Sequence, residues 1–429
     1  MSEYKKPQSE KDFSKNFAQI KPLMSDTEAY YESSRCLFCY DAPCVNACPT
    51  GIDIPLFIRQ INSKNEMGAA KTIYDSNFLG HACGKVCPTE VLCEGACVYN
   101  NTDVKPIEIG RLQSFATGKA IRTNRKFYLP GKSNGKKVAV IGAGPAGISC
   151  ACELRMMGFD VDVFEAKEKP SGLTVHGVAP YKITNEEALA EMKYLQDQFG
   201  FHITYCKSIQ SKEDLSTLEN NYDAIFIGIG LGKTSDLKIK GEELENVIGA
   251  VEFAEQLRTK HHQVNVPQKV VVLGGGNTAM DAASEAARMG AEVILAYRRT
   301  KEEMPAYDFE YELAKSVGAK GLFNVTPVEI IGENGKVSGI KLKSTSDGNE
   351  FIENCNWVIK ATGQSKQIDL LRLAGISLDE KGRIAVNEEF QTSNKKYFAA
   401  GDAVSGGQEV VNAVANGKKA AWGIKEFLK

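Results

Sequence analysis

The chain has 429 residues, 43% hydrophobic and 25% charged, with a formal net charge of -2 and a pI near 6.3. These values suit a soluble globular protein of roughly two to four domains of ~100–200 residues each. They leave no basic excess for a nucleic acid or an anionic membrane, so neither is expected as a partner. The opening stretch MSEYKKPQSEKDF has no apolar core and no small-residue cleavage site, and nowhere do ~18 apolar residues run unbroken. A cytoplasmic protein without a membrane span is expected.

From the start to about Phe127 the chain carries eight of its twelve cysteines, between Cys36 and Cys97. Helices are expected around Ile54–Asn62 and Gly68–Tyr74. In a reducing compartment such a density speaks for metal binding or redox work rather than disulfides. The runs are Cys36-x2-Cys39-x4-Cys44-x3-Cys48-Pro49 and Cys83-x3-Cys87-Pro88-x4-Cys93-x3-Cys97. Thiolates hold cubane clusters, and the last cysteine of a run, before Pro, can ligate the other cluster. Two such runs predict two 4Fe–4S clusters, with the eight cysteines divided four and four on spacing alone. Zinc is the competing reading, but zinc ribbons favour paired C-x2-C knuckles and one such pair is present. The remaining Cys150, Cys152, Cys206 and Cys355 read as small buried hydrophobes.

Residues 128–137 (YLPGKSNGKK) read as a Pro/Gly/Lys-rich linker. Beyond it, VAVIGAGPAGISCACELRMMGFDVDVFEA reads as a buried strand, a glycine turn, a helix and a second strand. At Val270 the pattern recurs as VVVLGGGNTAMDAASEAARMGAEVILAYRR. The interval from Gly142 to Gly158 equals that from Gly274 to Gly290, each later glycine being placed to end its helix. Two βαβ units predict parallel sheets with two nucleotide sites.

In such units glycines let the backbone approach a pyrophosphate seated on the helix N-terminus. The first turn is Gly142-Ala143-Gly144-Pro145-Ala146-Gly147, and its second strand ends in Glu165, a carboxylate able to accept bonds from both ribose hydroxyls of FAD or NAD. The second turn has Gly274 and Gly276, then Asn277 and Thr278, with Ala279 in the third glycine place. In the register of Glu165 stands Tyr297, followed by Arg298 and Arg299. Guanidinium pairs bidentately with phosphate, so this site is expected to take the 2′-phosphate of NADP(H). A solvated strand end is the bland alternative for the two arginines.

The C-terminal YFAAGDAVSGGQEVVNAVANGKKAA resembles the second FAD motif of the disulfide-reductase-like flavoprotein fold. The likeness implies that Gly401 and Asp402 meet the ribitol or pyrophosphate region, and that the helix after Glu409 and Val410 points its N-terminus at the flavin. Ala361–Thr362–Gly363 resembles the turn where the chain returns to the flavin domain. The expected architecture is α/β. A helical iron–sulfur domain (1–127) precedes two nested Rossmann-like domains, FAD-binding at 136–234 and 361–429, with an NAD(P)H-binding insert at 235–360. No redox C-x-x-C stands near the flavin motifs, so electrons are expected to leave through the cysteine region.

RCLFCYDAPCVNACPTGIDIPLFI, GAAKTIYDSNFLGHACGKVCPTEVLCEGAC and IGRLQSFA resemble the N-terminal half of dihydropyrimidine dehydrogenase, and the likeness continues to the C-terminus. The chain is also similar, less closely, to the small subunit of bacterial glutamate synthase; the CPTEVLCEGAC wording is nearer the former. The resemblance implies one cluster on Cys36, Cys39, Cys44 and Cys97. It implies a second on Cys48, Cys87, Cys93 and the side chain of Gln113, with Cys83 a non-ligand. It further implies flavin contacts at Gly172 and Leu173, where Ser171 replaces a glycine, and at Lys182, for which an exposed isolated lysine is the bland reading.

The resemblance also implies a function. Electrons would enter from NAD(P)H, pass through FAD and two 4Fe–4S clusters, and reach a partner holding FMN and iron–sulfur clusters that reduces uracil or thymine. The sequence ends at Lys429 without a barrel, so the pyrimidine site is expected on that other polypeptide. No acid–base residue is expected here, since hydride transfer between stacked rings needs none. Two-subunit relatives are expected to use NADH, against the NADPH suggested by the arginines. A glutamate synthase small subunit, a stand-alone NAD(P)H:acceptor reductase and a non-catalytic cluster-binding module are the alternatives.

Overall fold

The computed structural model describes residues 4–429. It divides into two compact units. One comprises the N-terminal stretch to Gln19, His176–Tyr181 and Gly232–Ser365; the other comprises Ile20–Val175, Lys182–Leu231 and Lys366–Lys429. Among the described residues no helix is long and apolar enough to cross a membrane.

The larger unit contains a five-stranded parallel sheet in the order Tyr397–Ala399, Ala224–Ile227, Lys137–Ile141, Asp160–Phe164, His202–Thr204. Val138 to Ile141 are all buried, as the unbroken apolar run of a parallel strand covered on both faces requires. The helix Pro145–Met156 follows, opened by a proline at its first position, where no N–H is needed. Gly158 closes it at φ 87, a left-handed conformation that L side chains resist. The last long helix, Val410–Phe427, lies on this one so closely that a Cβ on Gly417 would stand 2.1 Å from the Ala146 carbonyl oxygen.

The cysteine-bearing helices belong to the same unit. Ile54–Asn62 starts from an Asp53 cap and Glu66–Ser76 from an Asn65 cap. Both present apolar faces (Phe57, Ile58, Ile61; Ala69, Ala70, Ile73) to a core shared with the helix Ile109–Arg122. The helix Gly80–Val86 meets Ile109–Arg122 where Gly84 and Gly110 face each other; a Cβ on either would come within 2.7 Å of the other's carbonyl oxygen. The buried Glu191 then receives the N–H groups of His81 (2.7 Å) and Ala82 (2.9 Å) and the Tyr74 hydroxyl (3.2 Å). Its helix, Asn185–Phe199, is thereby fixed to the cysteine region, with the orphan donors of a helix start satisfied by a carboxylate.

The smaller unit holds a second parallel sheet in the order Val247–Gly249, Trp357–Lys360, Lys269–Leu273, Glu292–Ala296, Lys320–Leu322. An antiparallel sheet of Val325–Glu333, Lys336–Ser344 and Glu350–Asn354 accompanies it. The helix Glu10–Asn16 packs here, not with the cysteine helices that follow it in sequence. Phe13 and Phe17 enter the core around Phe253 and Leu257. Asn16 donates to the Arg288 carbonyl at 2.7 Å, and Arg288 returns a bond to the Asn16 carbonyl at 2.7 Å.

Two local expectations are corrected. Tyr128 is not a free linker residue: it is buried, stacks on Phe199 at 5.1 Å and donates to Asp75 at 2.6 Å. Cys150, Cys152 and Cys355 are buried as expected, but Cys206 is exposed, in a turn with φ 54.

Candidate functional site: two glycine turns and two thiol sites

In the larger unit the first glycine turn is built by close approach. A Cβ on Gly142 would stand 2.5 Å from the Gly228 carbonyl oxygen, and one on Gly147 only 1.9 Å from the Gly142 carbonyl oxygen. Gly144, which caps the helix, differs: nothing lies nearer than 3.9 Å to its would-be Cβ, and its backbone (φ -77, ψ -179) suits any residue. The fold therefore needs glycine at 142 and 147. At 144 the missing side chain leaves open the space in front of the helix N-terminus, where a pyrophosphate would sit.

Glu165 stands beside this turn. Its Oε2 accepts from the Ala143 N–H at 2.8 Å and its Oε1 from the Lys167 N–H at 2.9 Å. One donor per oxygen leaves lone pairs for a ribose diol. Gly172 (φ 52) approaches Gly144, and the Ser171 N–H donates to the Ala143 carbonyl at 2.8 Å; Leu173 follows, partly exposed. Lys182 is buried, contrary to the bland expectation of an exposed side chain.

Gly401 (φ 74) precedes Asp402, whose carboxyl is pushed up by burial while its Oδ1 accepts from the Gln408 N–H at 3.0 Å. Glu409 occupies the cap position of the helix that starts at Val410. These residues of the larger unit fit FAD: an open helix start, a diol-binding carboxylate and a second helix N-terminus.

The smaller unit repeats the construction. Gly276 caps the helix Asn277–Arg288, and nothing lies within 4 Å of its would-be Cβ. Asn277 Oδ1 accepts from the Tyr307 N–H at 3.0 Å, fixing the facing loop, and Thr278 is exposed. Ala361 lies here, its carbonyl oxygen 2.4 Å from the would-be Cβ of Gly274, with Thr362 and Gly363 exposed beyond it. Gly228 plays the same structural part for the first turn. Its sign in the sequence is its place directly after the strand Ala224–Ile227, matching Ala361 after Trp357–Lys360. Tyr297 packs its ring on Gly275 and donates to the Glu303 carbonyl at 2.9 Å. Arg298 and Arg299 are both exposed just past the end of Glu292–Ala296, two guanidiniums able to pair with a phosphate.

The cysteines gather in two sets. Cys36, Cys39, Cys44 and Cys97 line one recess of about 380 Å³, its open mouth included, whose other walls are Leu37, Ala42, Pro43, Ile54, Ile58 and their apolar neighbours. The Tyr99 hydroxyl donates to the Arg35 carbonyl at 2.8 Å, drawing the Cys97 segment to the Cys36 loop, and the Arg59 guanidinium lies 5.0 Å over Phe38. Burial and the neighbouring thiols push Cys44 up to about 12. Burial raises Cys36 as well, and thiols so placed are stabilised as thiolates where a cation compensates them, as the irons of a cluster do.

The second set is deeper. Cys87 shares a hydrogen bond with Cys83 and interacts with Cys93 and Cys48, which together with burial raise its thiol far above the usual range. Gln113, on the helix held against Gly80–Val86, is buried and donates its Nε2–H to the Gly80 carbonyl at 2.6 Å. Among the described residues no three ligating side chains converge on a single point suited to one ion. The outer thiols ring a recess larger than a single ion needs, and the donor chemistry of both sets fits polynuclear iron–sulfur binding.

Residues 136–417 match the family described as pyridine nucleotide-disulphide oxidoreductase, and residues 13–125 match dihydropyrimidine dehydrogenase domain II, 4Fe-4S cluster. The chain belongs to the pyridine nucleotide-disulphide oxidoreductase family. It is similar to the NAD-dependent dihydropyrimidine dehydrogenase subunit PreT of Escherichia coli K12, at 33% identity over 96% of this chain and 97% of that protein. It is equally similar to the glutamate synthase [NADPH] small chain of the same organism, at 33% identity over 96% of this chain and 94% of that one. Thioredoxin reductase from T. acidophilum shares the fold (TM-score 0.56, 23% identity, 68% of this chain and 98% of that one). As a member of this family with a 4Fe–4S domain, the protein is an FAD- and NAD(P)-linked electron-transferring oxidoreductase.

Proposed function

We propose that the chain is the electron-input subunit of a two-subunit dihydropyrimidine dehydrogenase, oxidising NAD(P)H and delivering electrons to an FMN- and iron–sulfur-bearing partner that reduces uracil or thymine. The observation that carries this reading is the pairing of a flavin-type glycine turn with two thiol sets in one compact unit, one set opening to the surface. Beside that opening, Tyr40 is 99% exposed and Leu37 59% exposed, apolar surface that a partner would cover.

In this reading 136–234 and 361–429 bind FAD, 235–360 binds NAD(P)H, and 1–127 carries two 4Fe–4S clusters. Gly142 to Gly147, Glu165, Gly172, Lys182, Asp402 and the helix start at Val410 hold the flavin. Gly274, Gly276, Asn277, Arg298 and Arg299 hold the nicotinamide coenzyme. Cys36, Cys39, Cys44 and Cys97 take one cluster; Cys48, Cys87, Cys93 and Gln113 take the other. Bound FAD supplies the conversion between a two-electron hydride donor and one-electron cluster acceptors. The chain's own part is to exclude water from the sites, orient the two nucleotides and set the environment of each thiol set.

The PreT relative is named a dehydrogenase subunit and is matched over nearly its whole length, which supports a partner-dependent enzyme. A second reading, a glutamate synthase small subunit, is favoured by the equal identity to that chain. The coenzyme named for the two relatives differs, NAD for one and NADPH for the other; Arg298 and Arg299 support NADPH. The deciding experiment is anaerobic affinity purification from the native host, with the eluate assayed for uracil-dependent NAD(P)H oxidation. Co-elution of an FMN-bearing chain with uracil-driven oxidation supports the dehydrogenase. Co-elution of a large glutamine-hydrolysing chain replaces it with glutamate synthase.

A further inference from the structure

The deeper thiol set differs from the outer recess in having a lysine built against it. Lys21 Nζ donates to the Cys87 carbonyl at 3.2 Å and to Thr89 Oγ1 at 2.6 Å, and it pairs with Glu90 at 3.3 Å. Its side chain is only 14% exposed. The ammonium thus sits on the turn joining Cys87 to Cys93, and its field reaches both the Cys93 thiol and the Glu94 carboxyl. Its backbone is held as well: the fully buried Lys85, between Cys83 and Cys87 on the adjacent helix, donates to the Lys21 carbonyl at 2.9 Å and pairs with Glu187 at 3.1 Å. The residues lining the outer recess include no charged side chain; the cation acting on that set is the Arg59 guanidinium over Phe38, which makes no contact with the deeper set's turn.

We infer that Lys21 is a potential-setting residue for the iron–sulfur cluster held by Cys48, Cys87 and Cys93, and for that cluster alone. The inference rests on the cluster assignment proposed above. One-electron reduction adds one negative charge to a cluster, and local charge and hydrogen bonding are what the protein uses to set its potential. A desolvated ammonium on the ligand turn favours the reduced form. The Glu90 carboxylate, which faces Lys21 from the more exposed side, opposes it.

The test is an EPR-monitored redox titration of the anaerobically purified full chain, comparing wild type with K21M, K21R and E90Q. K21M should lower the midpoint of one cluster signal about tenfold in its reduction equilibrium, about 59 mV for one electron. K21R should stay close to wild type, and E90Q should move the same signal in the opposite direction. A lysine that merely ties the turn together predicts no opposed signs. Unchanged midpoints, equal shifts in both signals, or K21M and E90Q moving together would overturn the inference. If K21M loses the cluster, the sign of the E90Q shift still decides. A wild-type chain without two cluster signals would instead sink the assignment on which the inference stands.

Discussion

Replacing Gly144 by alanine separates cofactor binding from folding. The backbone at this position lies in an ordinary extended region, and an added Cβ meets nothing nearer than 3.9 Å. Removing a glycine from such a site lowers the entropy of the unfolded chain and stabilises the fold by about 0.4–1 kcal/mol. The same methyl group projects into the space before the helix Pro145–Met156, so a bound pyrophosphate must retreat from the N–H groups that hold it. Forcing one extra carbon into a close-packed contact costs about 1–3 kcal/mol; at 1.4 kcal/mol per decade, FAD affinity falls about 5- to 150-fold. Thermal denaturation of the flavin-free chain should therefore show equal or higher stability, while fluorescence titration with FAD shows the weakened affinity. Gly147→Ala is the control: its Cβ would lie 1.9 Å from the Gly142 carbonyl oxygen, so the apoprotein itself should be destabilised. Undiminished FAD affinity in Gly144→Ala, or an unstable apoprotein, would refute the reasoning.

Gly276→Ala should behave likewise at the second site, raising KM for NAD(P)H in steady-state assays while flavin content is unchanged. Joint replacement of Arg298 and Arg299 by alanine should weaken NADPH far more than NADH, and equal losses would remove the 2′-phosphate role. Gln113→Ala should shift the potential of one cluster, whereas Cys83→Ser should leave iron content intact; loss of iron in Cys83→Ser would make Cys83, hydrogen-bonded to Cys87, the ligand instead. Glu187 is held below the usual carboxylate range: burial opposes its ionisation, but His81, Lys85 and the Thr184 N–H outweigh it. Its folded-state pKa is thus depressed, so the stability it contributes is present above about pH 4.3 and is lost as the pH falls further toward the folded value. Glu187→Gln should flatten that acid limb in denaturation profiles and cost about 3 kcal/mol at pH 7, because the buried Lys85 loses its ion pair with Glu187.

The glycine turns, their strands and their closing glycines were legible because they are local. An apolar strand, a turn that only glycine permits and a helix stop lie within thirty or so residues of one another, about the length of a βαβ unit. The division of the cysteines was half legible: spacing predicts two sets, and the structure gathers Cys36, Cys39, Cys44 and Cys97 around one recess. What escaped was everything set by distant partners. No pattern around Gly228 announces that its carbonyl packs against Gly142, and Lys182 reads as a surface lysine until the surrounding chain buries it. Lys21 stands in an unremarkable loop sequence, and only the fold brings it to the Cys87 carbonyl.

The helix Glu10–Asn16 bears on how such a protein can be taken apart. Its Phe13 and Phe17 complete the core of the smaller unit, and Glu10 pairs there with His261 at 2.8 Å, before the chain has reached its first cysteine. A cut at Phe127, which the sequence invites as a boundary, would carry away a piece of the smaller unit's core along with the cysteines. Anyone transplanting the cysteine segment onto another reductase must leave the first nineteen residues behind with their host, because the order of the chain and the order of its cores are not the same.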